Sequence, residues 1–276
     1  MTYWNAVLLG LVQGVAEFLP ISSSGHLAAL QSFLAIGDME NHMLFDVLLH
    51  LGTLAAVILA FWKDVREVVT EFARMLHIRR TPRGLRPNRR ERRLISFLII
   101  ATLPLIPAAF LSNLVESLYQ NTFFIGFAFI MTGFLLFAAD RMGHGNKDER
   151  SSTTADALVV GLAQAVAVVP GLSRSGTTIS CGMLRGFERS FAVKFSFLLS
   201  IPAVVGANLV SIIKVFSTGV EWSYVPMYLV GVACAFVSGY FAIYFLRLVV
   251  QRGKFGGFCY YCWGAGLVTL LLSLIS

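Results

Sequence analysis

Charged residues are scarce in this chain, at 13% of its 276 residues, whereas hydrophobic residues make up 57%. A soluble domain carries about 25% charged residues, so this scarcity excludes a soluble protein of ordinary composition. Neither lysine nor arginine occurs before Lys63, and a cleavable secretion signal starts with positive charge. We therefore expect an integral membrane protein that has no such signal.

Cysteine is scarce as well. The chain has four cysteines, and two of them, Cys259 and Cys262, have the CxxC spacing. No second pair of ligands lies near them in the sequence, and a structural zinc site needs four. We therefore expect thiols that pack in the interior rather than zinc or redox chemistry.

Long apolar runs are abundant instead. Six of them have about the 17–25 residues that cross a bilayer as a helix. The composition thus predicts an all-α integral membrane fold in a single domain over 1–276. The six predicted spans are 44–62, 94–112, 123–140, 195–213, 225–246 and 258–275.

The net charge of +7 is sorted along the chain in a way that argues against nucleic-acid binding. Nearly all of the 22 lysines and arginines fall in four segments between the apolar runs. The positive-inside rule places such segments in the cytoplasm, and the Arg-rich loop 79–93 is then a solvated loop near anionic lipid headgroups. The four basic segments are 63–93, 141–150, 185–194 and 247–254.

One phrase occurs twice. Residues 6–36 and 157–187 match at an offset of 151, which aligns Gln13 with Gln164 and Ser22 with Ser173. Each copy is a short apolar helix that runs into proline and then a Ser/Gly-rich turn. A membrane protein that repeats a broken helix usually has its site where the two breaks meet.

The four basic segments all lie on the cytoplasmic side only if each copy enters and leaves the membrane on the same side. Three predicted spans separate the copies, an odd number, so the copies face opposite sides. The sequence thus predicts an inverted-topology repeat with six transmembrane helices and two re-entrant helix-turn-helix hairpins. Repeat one is 1–140, the cytoplasmic linker is 141–156, and repeat two is 157–276.

Glu17 is the first candidate site residue. An ionised carboxylate inside the bilayer costs about 3 kcal/mol or more, so it needs a cation, a proton or a basic partner. Gln13 lies one helical turn before it, and carboxylate and amide oxygens suit Mg²⁺ or Ca²⁺. The alternative is a neutral Glu17 that hydrogen-bonds across helices.

The serine cluster Ser22, Ser23 and Ser24 follows Glu17, and His26 comes directly after it. A histidine beside hydroxyl groups can act as base, acid or nucleophile near neutral pH, so His26 activates a serine or attacks phosphorus itself. The alternative is that these serines only cap the next helix.

In the second copy, Arg174 replaces Ser23. The planar guanidinium suits phosphate oxygens, and Ser173, Ser175 and Thr177 add donors at a helix start. The alternative is an arginine that pairs with Glu17 for structure alone. His50 and Asp46, four residues apart in the span 44–62, are candidates for a second layer around Glu17 or His26. The alternative is a plain buried pair that hydrogen-bonds to itself.

These residues together predict hydrolysis of a lipid phosphate or diphosphate inside the membrane. A transporter or flippase of a lipid phosphate is the competing prediction, because inverted repeats with broken helices are common in transporters. A transporter has less need of a histidine beside a serine cluster.

The two motifs resemble the paired signatures of the undecaprenyl-diphosphate phosphatase family, also called bacitracin-resistance proteins. They are QGVAEFLPISSSGH at 13–26 and PGLSRSGTT at 170–178, and the resemblance covers nearly the whole chain. It implies removal of the terminal phosphate from a C55 polyprenyl diphosphate, which recycles the lipid carrier of cell-wall glycans. It also implies Mg²⁺ or Ca²⁺, a homodimer, and a plasma-membrane site open to the outer face.

The resemblance also implies roles for single residues. Glu17 and Gln13 resemble the metal-holding pair. The family has Glu or Gln at the first position of the motif, and this chain has Gln13, so Glu17 is the one acidic ligand of the pair. His26 and the cluster Ser22–Ser24 resemble the nucleophile and base, with Ser23 or His26 as the attacker. Arg174 resembles the diphosphate clamp, supported by Ser173, Ser175 and Thr178.

Overall fold

A computed structural model describes residues 1–33, 43–76, 88–119, 121–218 and 222–274, and these residues are almost entirely helical. Part of the loop 79–93, up to residue 87, lies outside them. The first half contains α1 (Tyr3–Phe18), α2 (Ser23–Phe33), α3 (Met43–Ala60), α4 (Trp62–Met75), α5 (Arg89–Thr102), α6 (Leu105–Ala109), α7 (Ser112–Tyr119) and α8 (Thr122–Met142). The second half contains α9 (Thr154–Val166), α10 (Arg174–Leu184), α11 (Arg189–Thr218), α12 (Val225–Gln251) and α13 (Phe258–Ser273).

The described residues include five helical segments that are long and apolar enough to cross a membrane. A sixth is added if the bent pair Leu44–Ala60 and Trp62–Met75 counts as one span. The chain is therefore a multi-pass membrane protein. The five segments are Arg89–Ala109, Thr122–Met142, Arg189–Ile213, Trp222–Gln251 and Phe255–Ser273.

The predicted span 44–62 corresponds to α3, after which the chain turns by 90° into α4. One face of α4 is apolar and carries Val65, Val69 and Phe72, while Asp64 and Arg66 belong to its charged remainder. Charged side chains resist entry into hydrocarbon, so such a helix is typical of the membrane interface. The bend separates the apolar span from this amphipathic helix.

The predicted span 94–112 begins earlier than expected, at Arg89. The Asn88 side chain caps this start, since its Oδ1 accepts a hydrogen bond from the Arg90 backbone N–H at 3.2 Å. The helix α5 ends at Thr102, with Leu103 as its C-cap, because Pro104 has no backbone N–H to continue the hydrogen-bond ladder. A short helix, α6, continues the apolar segment.

The two copies of the repeated phrase pack against different helices, and each makes its close contact at the same glycine position. The helix α1 lies along α12, and α9 lies along α5. A Cβ added at Gly10 would lie 2.3 Å from the Gly231 carbonyl oxygen, and one added at Gly161 would lie 2.5 Å from that of Ala101. Gly10 and Gly161 are equivalent at the offset of 151. Small residues permit such close helix crossings in membranes, so both copies use their glycine for the same contact.

The linker 141–156 is anchored by Asp156 at the start of α9. Lys147 Nζ and Arg185 Nη2 lie 2.9 and 2.8 Å from its two carboxylate oxygens. Thr153 completes a capping box with Asp156. This fully buried carboxylate ties the linker to the beginning of α9 and to the end of α10.

Candidate active site

Both Ser/Gly-rich turns start their second helix in the same way. Ser22 Oγ accepts a hydrogen bond from the Gly25 backbone N–H at 3.4 Å, and Ser173 Oγ accepts one from Gly176 at 3.1 Å. These serines and glycines are equivalent at the offset of 151. Each turn also has one residue with a left-handed backbone, Ser22 in the first and Gly171 in the second.

The two turns are in direct contact. Ser175 Oγ donates a hydrogen bond to the Leu19 carbonyl oxygen at 3.3 Å. The predicted meeting of the two broken helices is therefore present. Each turn is also held by a neighbouring span: Cys262 Sγ donates to the Pro20 carbonyl oxygen at 3.4 Å, and the Ser173 backbone N–H donates to Thr132 Oγ1 at 3.3 Å.

Glu17 lies at the end of α1 and is 8% exposed. Ser23 Oγ donates a hydrogen bond to Glu17 Oε2 at 2.7 Å, and Gln13 Nε2 donates to the same oxygen at 3.2 Å. Ser23 reaches back across the turn because the backbone reverses between α1 and α2. The carboxylate is thus held by one residue on each side of the break.

Arg174 begins α10 and pairs through Nη2 with Glu17 Oε1. The guanidinium therefore compensates the buried carboxylate, as a charge inside a membrane requires. Three predicted residues therefore lie together, because Ser23 and Arg174 both contact Glu17. They join two helix breaks that are separated by about 150 positions in the sequence.

A cavity of about 330 Å³ lies at this meeting point. Ser23, Ser24 and Glu17 line it from the first copy, and Ser173 and Arg174 line it from the second. Other polar residues of the lining come from further helices. They are Asp46 and His50 on α3, Tyr119 on α7, Gln164 on α9, and Asn208 and Ser211 on α11.

His50 stands beside Glu17, as the sequence predicted for a second layer. Its Nε2 lies 3.9 Å from Glu17 Oε2, and its Nδ1 lies 2.8 Å from the Asp46 carbonyl oxygen. Because a carbonyl only accepts, Nδ1 carries the proton and donates it. Asp46 Oδ1 in turn accepts a hydrogen bond from Gln31 Nε2 at 3.1 Å.

His26 faces another way. Its Nδ1 donates to the Ser22 carbonyl oxygen at 2.7 Å, and its Nε2 lies 2.6 Å from the Tyr261 hydroxyl. The ring stacks on Tyr261 with centroids 5.7 Å apart and meets the edge of Phe129 at 5.3 Å. Among the described residues, His26 is not one of those that line the cavity, and its role as base or nucleophile stays a prediction.

Ser22, Ser175 and Thr178 are buried and support the turns from within. Ser22 Oγ lies 3.3 Å from Ser24 Oγ, and Ser175 Oγ lies 3.2 Å from Ser173 Oγ. Thr178 Oγ1 donates to the Arg174 carbonyl oxygen at 2.9 Å. In the described part of the chain these three do not line the cavity, so their contacts hold its lining in place.

Metal ligands are few around Glu17. Within the described ranges, no group of three or more His, Cys, Asp and Glu residues is arranged to hold a metal ion. Gln13 Oε1 is buried, however, and has no hydrogen-bond partner among the residues that the structure describes. Gln13 is fully buried and is not among the described residues that line the cavity. Its orphaned amide oxygen is of the type that Mg²⁺ and Ca²⁺ bind, and such an ion would bring most of its ligands with a phosphate substrate.

Four polar lining residues were not predicted as part of the site, Tyr119, Gln164, Asn208 and Ser211, and two of them are buried. Gln164 is 1% exposed and Asn208 is 6% exposed. The alignment of Gln13 with Gln164 was a signal for the first, since equivalent positions of a repeat reach the same interface. Asn208 had no comparable signal, because it lies outside both copies of the repeated stretch.

The chain is similar to known proteins over its whole length. The family model described as "Bacitracin resistance protein BacA" matches residues 6–268. A relative from Alkaliphilus metalliredigens (strain QYMF), named undecaprenyl-diphosphatase, is 41% identical, and the match covers 100% of both chains. Relatives of the same name from Halothermothrix orenii and Methanosphaera stadtmanae are 37% and 36% identical, with 99% and 98% of each chain covered. Both turns and all the described cavity-lining residues lie inside the family match.

Proposed function

Because the chain belongs to the family of the bacitracin resistance protein BacA, we propose that it is an undecaprenyl-diphosphatase, the name that its relatives carry. It hydrolyses undecaprenyl diphosphate to the monophosphate and inorganic phosphate, which recycles the lipid carrier of the cell wall. The observation that carries this conclusion is the contact of Ser23 and Arg174 with one carboxylate, Glu17, at the edge of one cavity.

Ser23 is the nucleophile in this proposal. Its hydroxyl lies 2.7 Å from Glu17 Oε2, so the carboxylate accepts the proton as Ser23 Oγ forms a bond to the terminal phosphorus. The bond from that phosphorus to the bridging oxygen breaks, and the polyprenyl monophosphate leaves. Arg174 exchanges its contact with Glu17 for the oxygens of the transferring group and stabilises the charge that develops there.

A water molecule completes the reaction. Its oxygen forms a bond to the phosphorus of the phosphorylated Ser23 while the bond to Ser23 Oγ breaks. Glu17 returns its proton to Ser23 Oγ, and inorganic phosphate leaves with the protons of the water. The cycle thus ends with the hydroxyl and the carboxylate as they began.

His26 is a positioning residue in this scheme. Its Nδ1–H holds the carbonyl of Ser22 at 2.7 Å, and Tyr261 fixes the ring from the other side at 2.6 Å. Ser22 has a left-handed backbone, with φ of 70°, which a non-glycine residue adopts at a cost. The contact therefore stabilises the turn that aims Ser23 at Glu17.

We propose that Mg²⁺ or Ca²⁺ binds together with the diphosphate, with Glu17 and the orphaned Gln13 Oε1 as its protein ligands. When bound, such an ion neutralises phosphate charge. Gln13 keeps its amide nitrogen on Glu17 at 3.2 Å, so the amide orients the carboxylate whether or not an ion is bound. Arg174 supplies fixed positive charge at the same place.

The membrane arrangement is also a proposal. The two hairpins, α1 with α2 and α9 with α10, are re-entrant and related as an inverted repeat. Support comes from their equivalent caps and from the equivalent packing of Gly10 and Gly161. With the basic segments in the cytoplasm, the first hairpin enters from the outer face of the plasma membrane, and the site opens there. A homodimer stays a prediction of the family resemblance.

The test is release of inorganic phosphate from C15 and C55 diphosphates by the purified protein in detergent, with and without EDTA. Detergent removes sidedness, so an enzyme works there and a flippase of polyprenyl phosphate does nothing. We expect phosphate release that EDTA suppresses and Mg²⁺ or Ca²⁺ restores. A well-folded protein that releases no phosphate under any metal condition would refute the proposed function.

A further inference from the structure

The cavity has a polar surface that the proposed reaction leaves unused. Gln164 on α9 and Asn208 on α11 both line it, and both are more than nine-tenths buried. Neither amide atom of Gln164 has a hydrogen-bond partner in the described ranges, and the same holds for Asn208 Nδ2. A buried amide without partners costs about 1–3 kcal/mol, and such groups call for an explanation. A ligand in the cavity would supply the missing partners.

The repeat shows why the amide of Gln164 is free. Gln164 stands where Gln13 stands in the first copy, and Gln13 donates its amide to Glu17 one turn later. In the second copy the residue one turn later is Val168, which accepts no hydrogen bond. The same position of the fold therefore presents an amide donor to whatever enters the cavity.

The neighbours of this pair indicate which part of the substrate it meets. Val168 lies four residues after Gln164, Val204 lies four residues before Asn208 on α11, and both valines line the cavity together with Leu172. An apolar lining with a few placed polar groups suits the end of the substrate that carries the hydrocarbon chain. The charged groups of the cavity, by contrast, hold the phosphorus that reacts.

We propose that Gln164 and Asn208 form a subsite for the lipid-linked phosphate of the diphosphate, the phosphate that stays on the leaving group. Their Nε2 and Nδ2 atoms donate hydrogen bonds to its oxygens, and the valines and leucine receive the start of the prenyl chain. This inference rests on the proposed function. It predicts that the prenyl monophosphate product uses the subsite and that free inorganic phosphate does not.

Two variants remove the donors with little change of shape, Gln164→Met and Asn208→Leu. The matched control is Ser180→Ala, since Ser180 Oγ is also buried without a partner in the described chain but is not among the cavity-lining residues. The assay measures KM for farnesyl diphosphate and the inhibition constants of farnesyl monophosphate and inorganic phosphate. A thermal unfolding midpoint in detergent reports on the fold.

We expect each cavity variant to raise KM and the inhibition constant of farnesyl monophosphate about tenfold, the effect of one hydrogen bond to a charged group. The inhibition constant of inorganic phosphate stays within about twofold, and Ser180→Ala changes none of the three. Gln164→Glu, which adds negative charge at the same size, weakens farnesyl monophosphate further. This variant and Gln164→Met keep the test valid if Asn208→Leu does not fold.

Unchanged constants in Gln164→Met, with an active wild-type protein, would overturn the subsite while the proposed function stands. An equal weakening of both inhibitors would overturn the assignment to the lipid-linked phosphate. If the wild-type protein releases no phosphate, the proposed function fails on its own. The subsite is then tested by binding: farnesyl monophosphate should raise the unfolding midpoint of the wild-type protein more than that of Gln164→Met, and an equal rise would overturn it.

Discussion

Replacing Ser23 by alanine tests whether its hydroxyl is the nucleophile or only supports Glu17 through a hydrogen bond. If Ser23 only donates its 2.7 Å hydrogen bond to Glu17, its loss costs about 1.5 to 3 kcal/mol, the value of a bond to a charged group. That corresponds to a rate loss of about 10- to 150-fold. If Ser23 attacks phosphorus, we expect kcat to fall by at least about 10⁴-fold, or about 5.5 kcal/mol.

The assay is single-turnover phosphate release in detergent, combined with trapping of labelled protein after mixing with a diphosphate whose terminal phosphate is radioactive. The wild-type protein should retain label and Ser23→Ala should retain none. Ser24→Ala is the matched comparison, because Ser24 lines the same cavity and contacts Ser22 rather than Glu17; it should still become labelled. A loss below about 150-fold in Ser23→Ala, or label on that variant, would refute the assignment.

Three further predictions concern charge and packing. Arg174→Ala should abolish turnover without loss of helical content, and Arg174→Lys should keep a small part of it, because a lysine retains the charge without the bidentate fork; wild-type rates in Arg174→Ala would contradict the clamp. Gly161→Ala should destabilise the protein in thermal unfolding by about 1–3 kcal/mol, because its Cβ would lie 2.5 Å from a carbonyl oxygen. The control Gly264→Ala, whose Cβ would meet no atom of the described residues within 4 Å, should not, and equal effects would contradict the close crossing. Burial alone would raise the pKa of Asp156, but the hydrogen bonds of its lysine, threonine and arginine partners lower this pKa to about 2. The stability that it contributes is therefore complete above the usual pKa of 3.8 and is lost as the pH falls towards 2. Asp156→Asn should unfold more readily than the wild-type protein at pH 7, by about 2 kcal/mol, and the gap should close near pH 2; a gap independent of pH would argue against the ion pairs.

The core of the site was predictable because the sequence repeats itself. The alignment at an offset of 151 identified both helix breaks and predicted that Glu17 of the first faces Arg174 of the second. The structure places the two side chains in contact, which is the pairing that the sequence offered as the alternative to a diphosphate clamp, and the roles of metal ligand and clamp stay predictions. The six apolar runs likewise correspond to helices of the structure, since length and hydropathy alone define a span.

Other features depend on contacts that no local pattern encodes. His26 turns towards Tyr261, which lies 235 residues further along, and nothing near His26 indicates which helix will pack there. The 90° bend after α3 arises where the apolar span meets the amphipathic α4. The sequence predicted the end of this span near residue 62, but not the helix that follows or its angle. Gln164 was visible in the alignment, but its unpaired state depends on packing among α9, α11 and the turns.

The second hairpin contacts the first through the hydrogen bond from Ser175 to the Leu19 carbonyl. Because the two hairpins are synthesised at different times, this contact has a consequence for biosynthesis. In the proposed membrane arrangement, the ribosome releases the first hairpin long before the second, so Glu17 enters the bilayer without the guanidinium that later neutralises it. Insertion and activation are then separate events in the life of the polypeptide. A nascent chain that ends before residue 174 would be anchored in the membrane and chemically inert, and hydrolysis would begin only after the second hairpin docks against the first.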